Sequence, residues 1–240
     1  MHLDLSIVLP CFNEEGCVEA LTDEIVGAVE PLELHYEIVF VDDCSTDGTL
    51  GALRRAQLKH PEVRIVRHSI NTGESAATAT GFQHARGAVV IVMDSDQQND
   101  PADIPRILDA LRGHDCVATK RRRREDDWVK RVSSKIGNGF RNTVTGVPGV
   151  SDAGCTYRAI RREALREVLV FNGMHRFLPT ILRLQGWRIT EIEVNHRPRT
   201  TGKSKYGIGN RMWRGIADCI AMRWYRKRVV PAQRTRPETA

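Results

Sequence analysis

Tyr36-Glu37-Ile38-Val39-Phe40-Val41-Asp42-Asp43-Cys44-Ser45-Thr46-Asp47-Gly48-Thr49 is the stretch that sets the fold. It opens as an apolar, β-branched run, the mark of a strand covered on both faces, and stops abruptly in acids, hydroxyls and a glycine. From Thr49 to Lys59, apolar and small residues return at helical spacing, and Asp47 stands where a helix cap is expected. The unit recurs on either side. Leu5–Pro10 leads into a helical pattern over Glu14–Val29, and Val63–Arg67 into one over Glu74–Arg86. Ala88–Met93 is followed by a helix over Ala102–Leu111 and a strand over Asp115–Thr119. Strand and helix alternating through short links predict a parallel sheet with right-handed crossovers.

After Lys120 the rhythm breaks. A basic stretch and glycine-containing turns lead to Asp152–Arg158, then helices around Arg161–Val168 and Arg176–Gln185 and a strand over Arg188–Val194. No internal repeat or low-complexity linker interrupts the chain. One α/β domain to about residue 195, followed by a C-terminal appendage, is the expected organisation.

Composition excludes several classes. The 240 residues are 41% hydrophobic and 28% charged, which argues against collagen, disulfide-rich scaffolds and disordered chains. Met1-His2-Leu3-Asp4 runs into Leu5–Leu9 without a basic segment, so no signal peptide is expected. Apolar runs such as Ala88–Met93 fall far short of the about 18 residues that mark a membrane-spanning helix. Six cysteines without metal-type spacing read as reduced, small hydrophobes in a cytoplasmic protein.

The net charge of +6 is unevenly spread. Lys120–Lys135 holds eight basic and three acidic residues, and His196–Arg236 holds twelve basic residues and one acid, Asp218. The remainder carries a net −10. An acidic body with two basic segments points to an anionic partner: nucleic acid, a phosphorylated substrate or a lipid surface. The plainer reading is a solvated face and a loose basic tail.

In open parallel sheets, ligands bind beyond the carboxyl ends of the strands. Three polar clusters fall there: Pro10-Cys11-Phe12-Asn13-Glu14-Glu15, Asp42–Thr49 and Asp94-Ser95-Asp96-Gln97-Gln98. Each alone could be turn chemistry. Asp94 and Asp96 at alternate positions, with the Gln98 amide, suit a hard divalent ion such as Mg²⁺ or Mn²⁺ that shares oxygen ligands with substrate phosphates. No G-x-G-x-x-G follows the first strand, and Arg197 stands where a P-loop ending in Gly202-Lys203-Ser204 needs its first glycine, which removes the dehydrogenase and P-loop readings.

These motifs, in this order, resemble the family 2 glycosyltransferases, and in particular their polyprenyl-phosphate branch related to dolichol-phosphate mannose synthase. The likeness runs from Ser6 to about Tyr206. Ile7-Val8-Leu9-Pro10-Cys11-Phe12-Asn13-Glu14 is similar to the family's opening motif, and Val41-Asp42-Asp43-Cys44-Ser45-Thr46-Asp47-Gly48-Thr49 to its V-D-D-x-S-x-D-G-T. Asn71-x-Gly73 with Ala76 and Gly81 matches the next helix, and Asp94-Ser95-Asp96-Gln97-Gln98 resembles D-x-D-L-Q. The branch-specific matches are Arg121, Arg124 and Asp126, then Asp152-Ala153-Gly154-Cys155-x-Tyr157-Arg158, then Met174-His175-Arg176-Phe177-Leu178-Pro179. The last is His196-x-x-Arg199-x-x-Gly202-x-Ser204-x-Tyr206.

The resemblance implies a GT-A-type fold, a Rossmann-like, mostly parallel sheet flanked by helices, over residues 1–206. It implies a metal-dependent inverting transferase moving a sugar from a nucleotide-diphosphate sugar to a polyprenyl phosphate. Pro10, Phe12, Asn13, Glu14, Val41, Asp43, Asp94, Ser95 and Asp96 would bind the donor, and Asp94, Asp96 and Gln98 the metal. Arg121, Arg124, Arg199, Ser204 and Lys205 would cradle the acceptor phosphate. Asp96, Asp152 and Arg121 would be catalytic, Asp152 as a base or in orienting the acceptor, with a plain turn role as its alternative. His175 and Arg176 fall near the acceptor path or at a helix start. Gln97 in place of leucine and Glu74-Ser75 after the Asn71–Gly73 turn depart from the family pattern at the donor pocket. In relatives, transmembrane helices often follow Tyr206, where this sequence has no long apolar run.

Residues 207–230 instead carry Ile208, Met212, Trp213, Ile216, Ala217, Ile220, Ala221 and Trp224 at helical spacing, with arginines on other faces and at the end. This reads as a basic amphipathic helix lying on an anionic membrane surface, or as a helix packed on the domain. Residues 231–240 read as a disordered tail. The expected location is the cytoplasmic face of the membrane, as a peripheral protein; a homo-oligomer stays open. Two other functions compete: the same donor chemistry on a soluble acceptor, and a basic nucleic-acid-binding module. The second lacks stacking aromatics or a recognition helix, and its acidic edge opposes it, so no nucleic-acid partner is expected.

Overall fold

The computed structural model describes residues 3–122, 139, 143–146, 150–198 and 209–232, with side chains of the last helix from residue 215 onward. Among them, seven strands form one sheet: β1 (Leu5–Cys11), β2 (Tyr36–Asp42), β3 (Val63–Arg67), β4 (Val89–Val92), β5 (Cys116–Arg121), β6 (Arg158–Arg161) and β7 (Ile189–Val194). The helices are α1 (Val18–Val29), α2 (Thr49–Lys59), α3 (Glu74–His84), α4 (Ile104–Ala110), α5 (Met174–Leu184) and α6 (Gly209–Arg226). Spatial order is β3-β2-β1-β4-β6-β5-β7. All pairings are parallel except those of β6, which runs antiparallel to β4 and to β5. The mostly parallel sheet flanked by helices is therefore as expected.

Alternation along the central strands divides the core. Ile7, Leu9, Ile38 and Phe40 face α1 and α2, while Val8, Val39 and Val41 face α3 and α5; all seven are fully buried. Each such side chain contributes about 1.5–3 kcal/mol of burial. In α1, Val18, Leu21, Ile25 and Val29 recur every three or four residues and form its buried stripe. α3 lies close on the sheet because it is built of small residues. A Cβ at Gly81 would lie 2.2 Å from Val8 Cγ1. One polar group is buried in central β1: Ser6 Oγ donates to Glu37 Oε1 (2.7 Å) and accepts from the Gly87 amide (2.8 Å). That satisfies it within an otherwise apolar strand.

Two expectations are corrected. α1 starts at Val18 rather than Glu14, because Asn13 sits at φ 56° and the Glu14 amide donates to Thr49 Oγ1 (2.9 Å). Residues 14–17 form a turn tied to α2's first residue. The segment Arg161–Val168 is not a helix. Arg158–Arg161 is the antiparallel strand β6, and only a 3₁₀ turn, Arg162–Leu165, follows it. Four residues with arginine at both ends carry no strand signal of their own; pairing with β4 and β5 supplies it.

α6 packs through Cys219 (5% exposed) and Met222 (1%), with Tyr225 alongside, into the cluster that holds α5. Ile220 and Trp224, read above as part of one apolar stripe, face outward at 60% and 63% exposure. Arg124, Asp126, Arg199, Ser204, Lys205 and Tyr206 lie outside the described residues, as do most of 231–240 and the boundary at 206–207.

Candidate active site

The carboxyl ends of β1, β2, β4, β5 and β7 and the beginning of antiparallel β6 come together at one end of the sheet. This brings the β1, β2 and β4 clusters, Arg121, Asp152 and the Asn195–Arg197 segment side by side.

The loops after β1 and β2 are stitched together. Asn13 Oδ1 accepts from the Thr46 amide (2.8 Å), and Ser45 Oγ accepts from the Asn13 amide (3.0 Å). Glu15 Oε2 accepts from the Gly48 amide (3.1 Å), and a Cβ at Gly48 would collide with that carboxylate at 2.1 Å. Asp47 stands one residue before Gly48, the N-cap of α2, and its Oδ1 accepts from the Thr49 amide (3.0 Å), so it ties down the helix start without being the cap its spacing predicts. Pro10 and Phe12 stay half-exposed above this stitching, whereas Val41 is fully buried in the core and could meet a ligand only through its main chain.

Asp43 is spent on the protein itself. Its Oδ1 lies 2.7 Å from His68 Nδ1 and accepts from the Thr72 amide and hydroxyl, both at 2.9 Å. Its Oδ2 accepts from the Gly73 amide (2.7 Å). Burial pushes the carboxyl up, but the Thr72 amide, His68 and the Gly73 amide outweigh it and hold the group below its ordinary range. Asp43 thereby shapes the Asn71–Gly73 turn that launches α3.

The acidic pair lies at the centre. Ser95 Oγ donates to the Pro10 carbonyl (2.9 Å), fixing the β4 turn against β1. Asp96 Oδ1 accepts from the Gln98 amide (3.1 Å), and Gln97 adopts φ 61°. Asp94 keeps a partly exposed rim yet is enclosed by protein. Burial and the Asp96 charge raise its carboxyl to about 6, against the Thr156 hydroxyl and the Arg121 and Arg158 charges, which pull it down. Two crowded carboxylates of this kind fit a divalent cation, which would relieve their repulsion. Gln98 turns its amide nitrogen toward Arg197 O (3.4 Å), so Oε1 would be its ligand atom. Among the described residues, no group of three or more His, Cys, Asp or Glu could hold a metal by itself. Substrate phosphates would complete the shell.

Arg121 and Asp152 meet each other: Nε to Oδ2 at 2.7 Å and Nη2 to Oδ1 at 2.9 Å. Asp152 opens a turn closed by the Cys155 amide donating to its main-chain oxygen (3.1 Å). A Cβ at Gly154 would lie 3.3 Å from Arg121 Nη2, so the glycine gives the guanidinium room. Asp152 is thus both a turn residue and a partner of Arg121.

Arg158 had no assigned role in the sequence, and the structure places it directly beneath this group. It is 1% exposed and donates to the carbonyls of His175 and Ala153. Burial draws its guanidinium below the ordinary range, opposed by nearby Cys116 and Cys155 and by the Asp94 and Glu74 charges. His175, at the start of α5, lies 2.7 Å by Nδ1 from Ser75 Oγ and 3.6 Å by Nε2 from Glu74. Ser75, in α3's first turn, also accepts from the Gly173 amide (2.9 Å). Glu74, Ser75, His175 and Arg158 therefore connect α3 and α5 to the back of Asp94. The only local hint was an arginine set between Tyr157 and Ala159-Ile160.

Arg197 pairs with Asp100 (2.7 Å) and with Glu24, and the Asn195 amide donates to Asp103 Oδ2 (2.7 Å). These contacts deliver the chain leaving β7 to the same end of the sheet.

The chain resembles known proteins along most of its length. It is 37% identical over 206 residues to the undecaprenyl-phosphate 4-deoxy-4-formamido-L-arabinose transferase of Aeromonas hydrophila, covering 85% of this chain and 63% of that one. It is 34% identical over 229 residues to the dodecaprenyl-phosphate galacturonate synthase of Rhizobium johnstonii, covering 93% and 67%. The chain thus spans a little under two thirds of the length of the formamido-arabinose transferases. In fold it is similar to glucosyl-3-phosphoglycerate synthase of Mycobacterium tuberculosis, crystallised with Mg²⁺ and UDP, at TM-score 0.69 and 19% identity, covering 95% of this chain and 80% of that one. A mannosyltransferase of Pyrobaculum calidifontis, crystallised with GDP-Man and Mn²⁺, gives TM-score 0.63 at 21% identity, with 95% and 64% covered. The GT-A-type sheet, the acidic pair after β4 and the match of residues 6–169 to the family model agree: this chain belongs to glycosyl transferase family 2.

Proposed function

We infer that the protein transfers a sugar from a nucleotide-diphosphate sugar to a polyprenyl phosphate, with inversion at the anomeric carbon. The observation that carries this reading is the juxtaposition of Asp94 and Asp96 with the Arg121–Asp152 pair, in a chain 37% identical to an undecaprenyl-phosphate sugar transferase. Pro10, Phe12, Asn13 and Glu14 border the donor's nucleotide, with Ser95 and the main chain of Val41 beside them. Asp43 holds the turn that closes its ribose side.

Asp94, Asp96 and Oε1 of Gln98 would hold Mg²⁺ or Mn²⁺, which offsets the charge of the departing diphosphate. A phosphate monoester is already ionised near neutrality, its second pKa being about 6, so the acceptor needs orientation more than deprotonation. Its oxygen forms the new bond to the anomeric carbon as the bond to the nucleotide diphosphate breaks, and the diphosphate leaves with the electron pair. Asp152, facing Arg121 with both oxygens, positions that guanidinium for the acceptor phosphate. Arg124, Arg199, Ser204 and Lys205 extend the cationic cradle by family resemblance. Among the described residues no helix is long and apolar enough to cross a membrane. α6, with Ile220 and Trp224 outward and arginines around them, supports contact with the cytoplasmic face of an anionic bilayer.

Incubation with labelled nucleotide sugars and undecaprenyl phosphate, under Mg²⁺ and under Mn²⁺, tests the reading. Label should enter the lipid fraction with at least one donor. No labelling with any common donor would remove the proposal, and labelling of a soluble phosphate instead would replace the acceptor.

A further inference from the structure

Beside the end of α6 lies a cavity of about 270 Å³ lined by Thr143, Val144, Gly146, Arg223, Arg226 and Lys227. We propose that this cavity binds the phosphate head group of an anionic membrane lipid that is not a reactant, and that it clamps α6 to the bilayer surface.

Arg223 and Arg226 lie in the last turn of α6, and Lys227 is the first residue after it. Cations at a helix C-terminus complement its dipole, which accounts for their presence there. It does not account for their convergence on one cavity, with no acid among the described residues that line it. Like charges gathered around a common space favour an anion in it. The pocket is also shaped around one of them. Gly146 sits at φ 63°, a conformation that favours glycine, and the Arg226 guanidinium lies over it, where a Cβ would meet Nη1. Arg226 Nη1 donates to the Thr145 carbonyl (3.3 Å), which fixes the guanidinium against the wall. At about 30 Å³ per water, the space holds a phosphate group with part of its hydration.

The neighbouring surface selects a lipid over free phosphate. Trp224 directly follows Arg223 and is 63% exposed, and Ile220 one turn earlier is 60% exposed. Met222, on the opposite face, is 1% exposed and locks the helix to the core, so this outward face is held in place. An apolar wedge beside a cationic pocket is the pattern that seats in the head-group layer with a phosphate in the pocket. The inference rests on the membrane contact proposed above, and none of its residues belongs to the candidate active site.

The test compares Lys227→Ala with Arg228→Ala in the full chain. Each removes one exposed charge from the end of α6, but only Lys227 lines the cavity. Sedimentation with vesicles of phosphatidylglycerol and phosphatidylcholine should show Lys227→Ala weakened about fivefold, the worth of one cation near an anionic surface, and Arg228→Ala distinctly less. Gly146→Ala, which changes no charge, should also weaken vesicle binding while its circular dichroism stays native. If Gly146→Ala unfolds the chain, the Lys227 and Arg228 comparison decides alone. Equal losses for the two charge variants would show diffuse attraction and overturn the site. Inorganic phosphate at matched ionic strength should not displace the vesicles; displacement at low millimolar concentration would assign the pocket to free phosphate and overturn the lipid. Sugar transfer to a short, water-soluble prenyl phosphate should be the same in Lys227→Ala as in the parent. If the parent transfers nothing, the catalytic proposal falls, while the vesicle comparison still reads the pocket.

Discussion

Asp43→Asn isolates one carboxylate that organises the donor side without touching the proposed metal. Asp43 accepts from the Thr72 amide and hydroxyl and pairs with His68 through Oδ1, and accepts from the Gly73 amide through Oδ2 at 2.7 Å. An asparagine keeps the shape but must turn an NH₂ toward one of these donors. If the nitrogen faces Gly73, one charge-assisted bond is lost and a buried donor is stranded, at a cost of about 2 kcal/mol. The flipped amide strands more. For a protein of this size that loss lowers Tm by about 4–8 °C. The effect has a signed pH dependence. Asp43 titrates below the ordinary 3.8, so its contribution is complete above that value and disappears as pH falls through the folded-state pKa. Thermal melts should therefore show a constant gap between parent and variant from pH 7 to about 4, narrowing in stronger acid. Donor binding, read by nucleotide titration at pH 7, should weaken in parallel because α3 starts from the turn that Asp43 holds. Equal Tm values at pH 7, or a gap that persists undiminished in acid, would refute the reasoning.

Asp96→Ala should weaken Mn²⁺ binding, followed by electron paramagnetic resonance, and lower transfer by at least about 100-fold, the scale of a lost cation-stabilised leaving group. Arg121→Ala and Asp152→Ala should each cost about 3 kcal/mol in stability, whereas the double variant should cost well under the sum, measured as a double-mutant cycle in urea. Gly81→Ala should destabilise by about 1–3 kcal/mol, since its Cβ would fall 2.2 Å from Val8 Cγ1, and Val8→Ala in the same chain should recover part of that loss. Burial pushes the Cys11 and Cys116 thiols up to about 12, and of the six cysteines only Cys44 is more than marginally exposed. A thiol reagent should accordingly titrate one group quickly in the native protein and the other five only on unfolding.

Where side-chain pattern and local geometry agree, the sequence was readable. β1, β2 and β3 and helices α2 and α3 begin where their apolar periods begin, and Asp47 bonds the first residue of α2. Asp94 and Asp96 were legible as a pair because they stand at alternate positions directly after a buried strand. The start of α1 was not, since Glu14 has good helix chemistry and only the left-handed Asn13, held by Ser45 and Thr46 from another loop, displaces it. β6 was missed for a related reason: Arg158 reads as surface, yet it is buried and its Nη1 and Nη2 donate to the carbonyls of residues 175 and 153.

By itself the sequence determined the parallel α/β frame and the end of it at which the candidate site residues gather, because strand burial and turn chemistry are set by neighbours a few residues apart. Only the tertiary structure decided how the site residues divide their work. It gave Asp43 to a turn, joined Arg121 to Asp152 across 31 positions, and set Arg158 behind Asp94. It also divided the apolar side of α6, burying Met222 and leaving Trp224 outside. Those outcomes depend on which distant groups meet in a low-dielectric interior, where an unpaired charge is costly and its partner can come from anywhere in the chain.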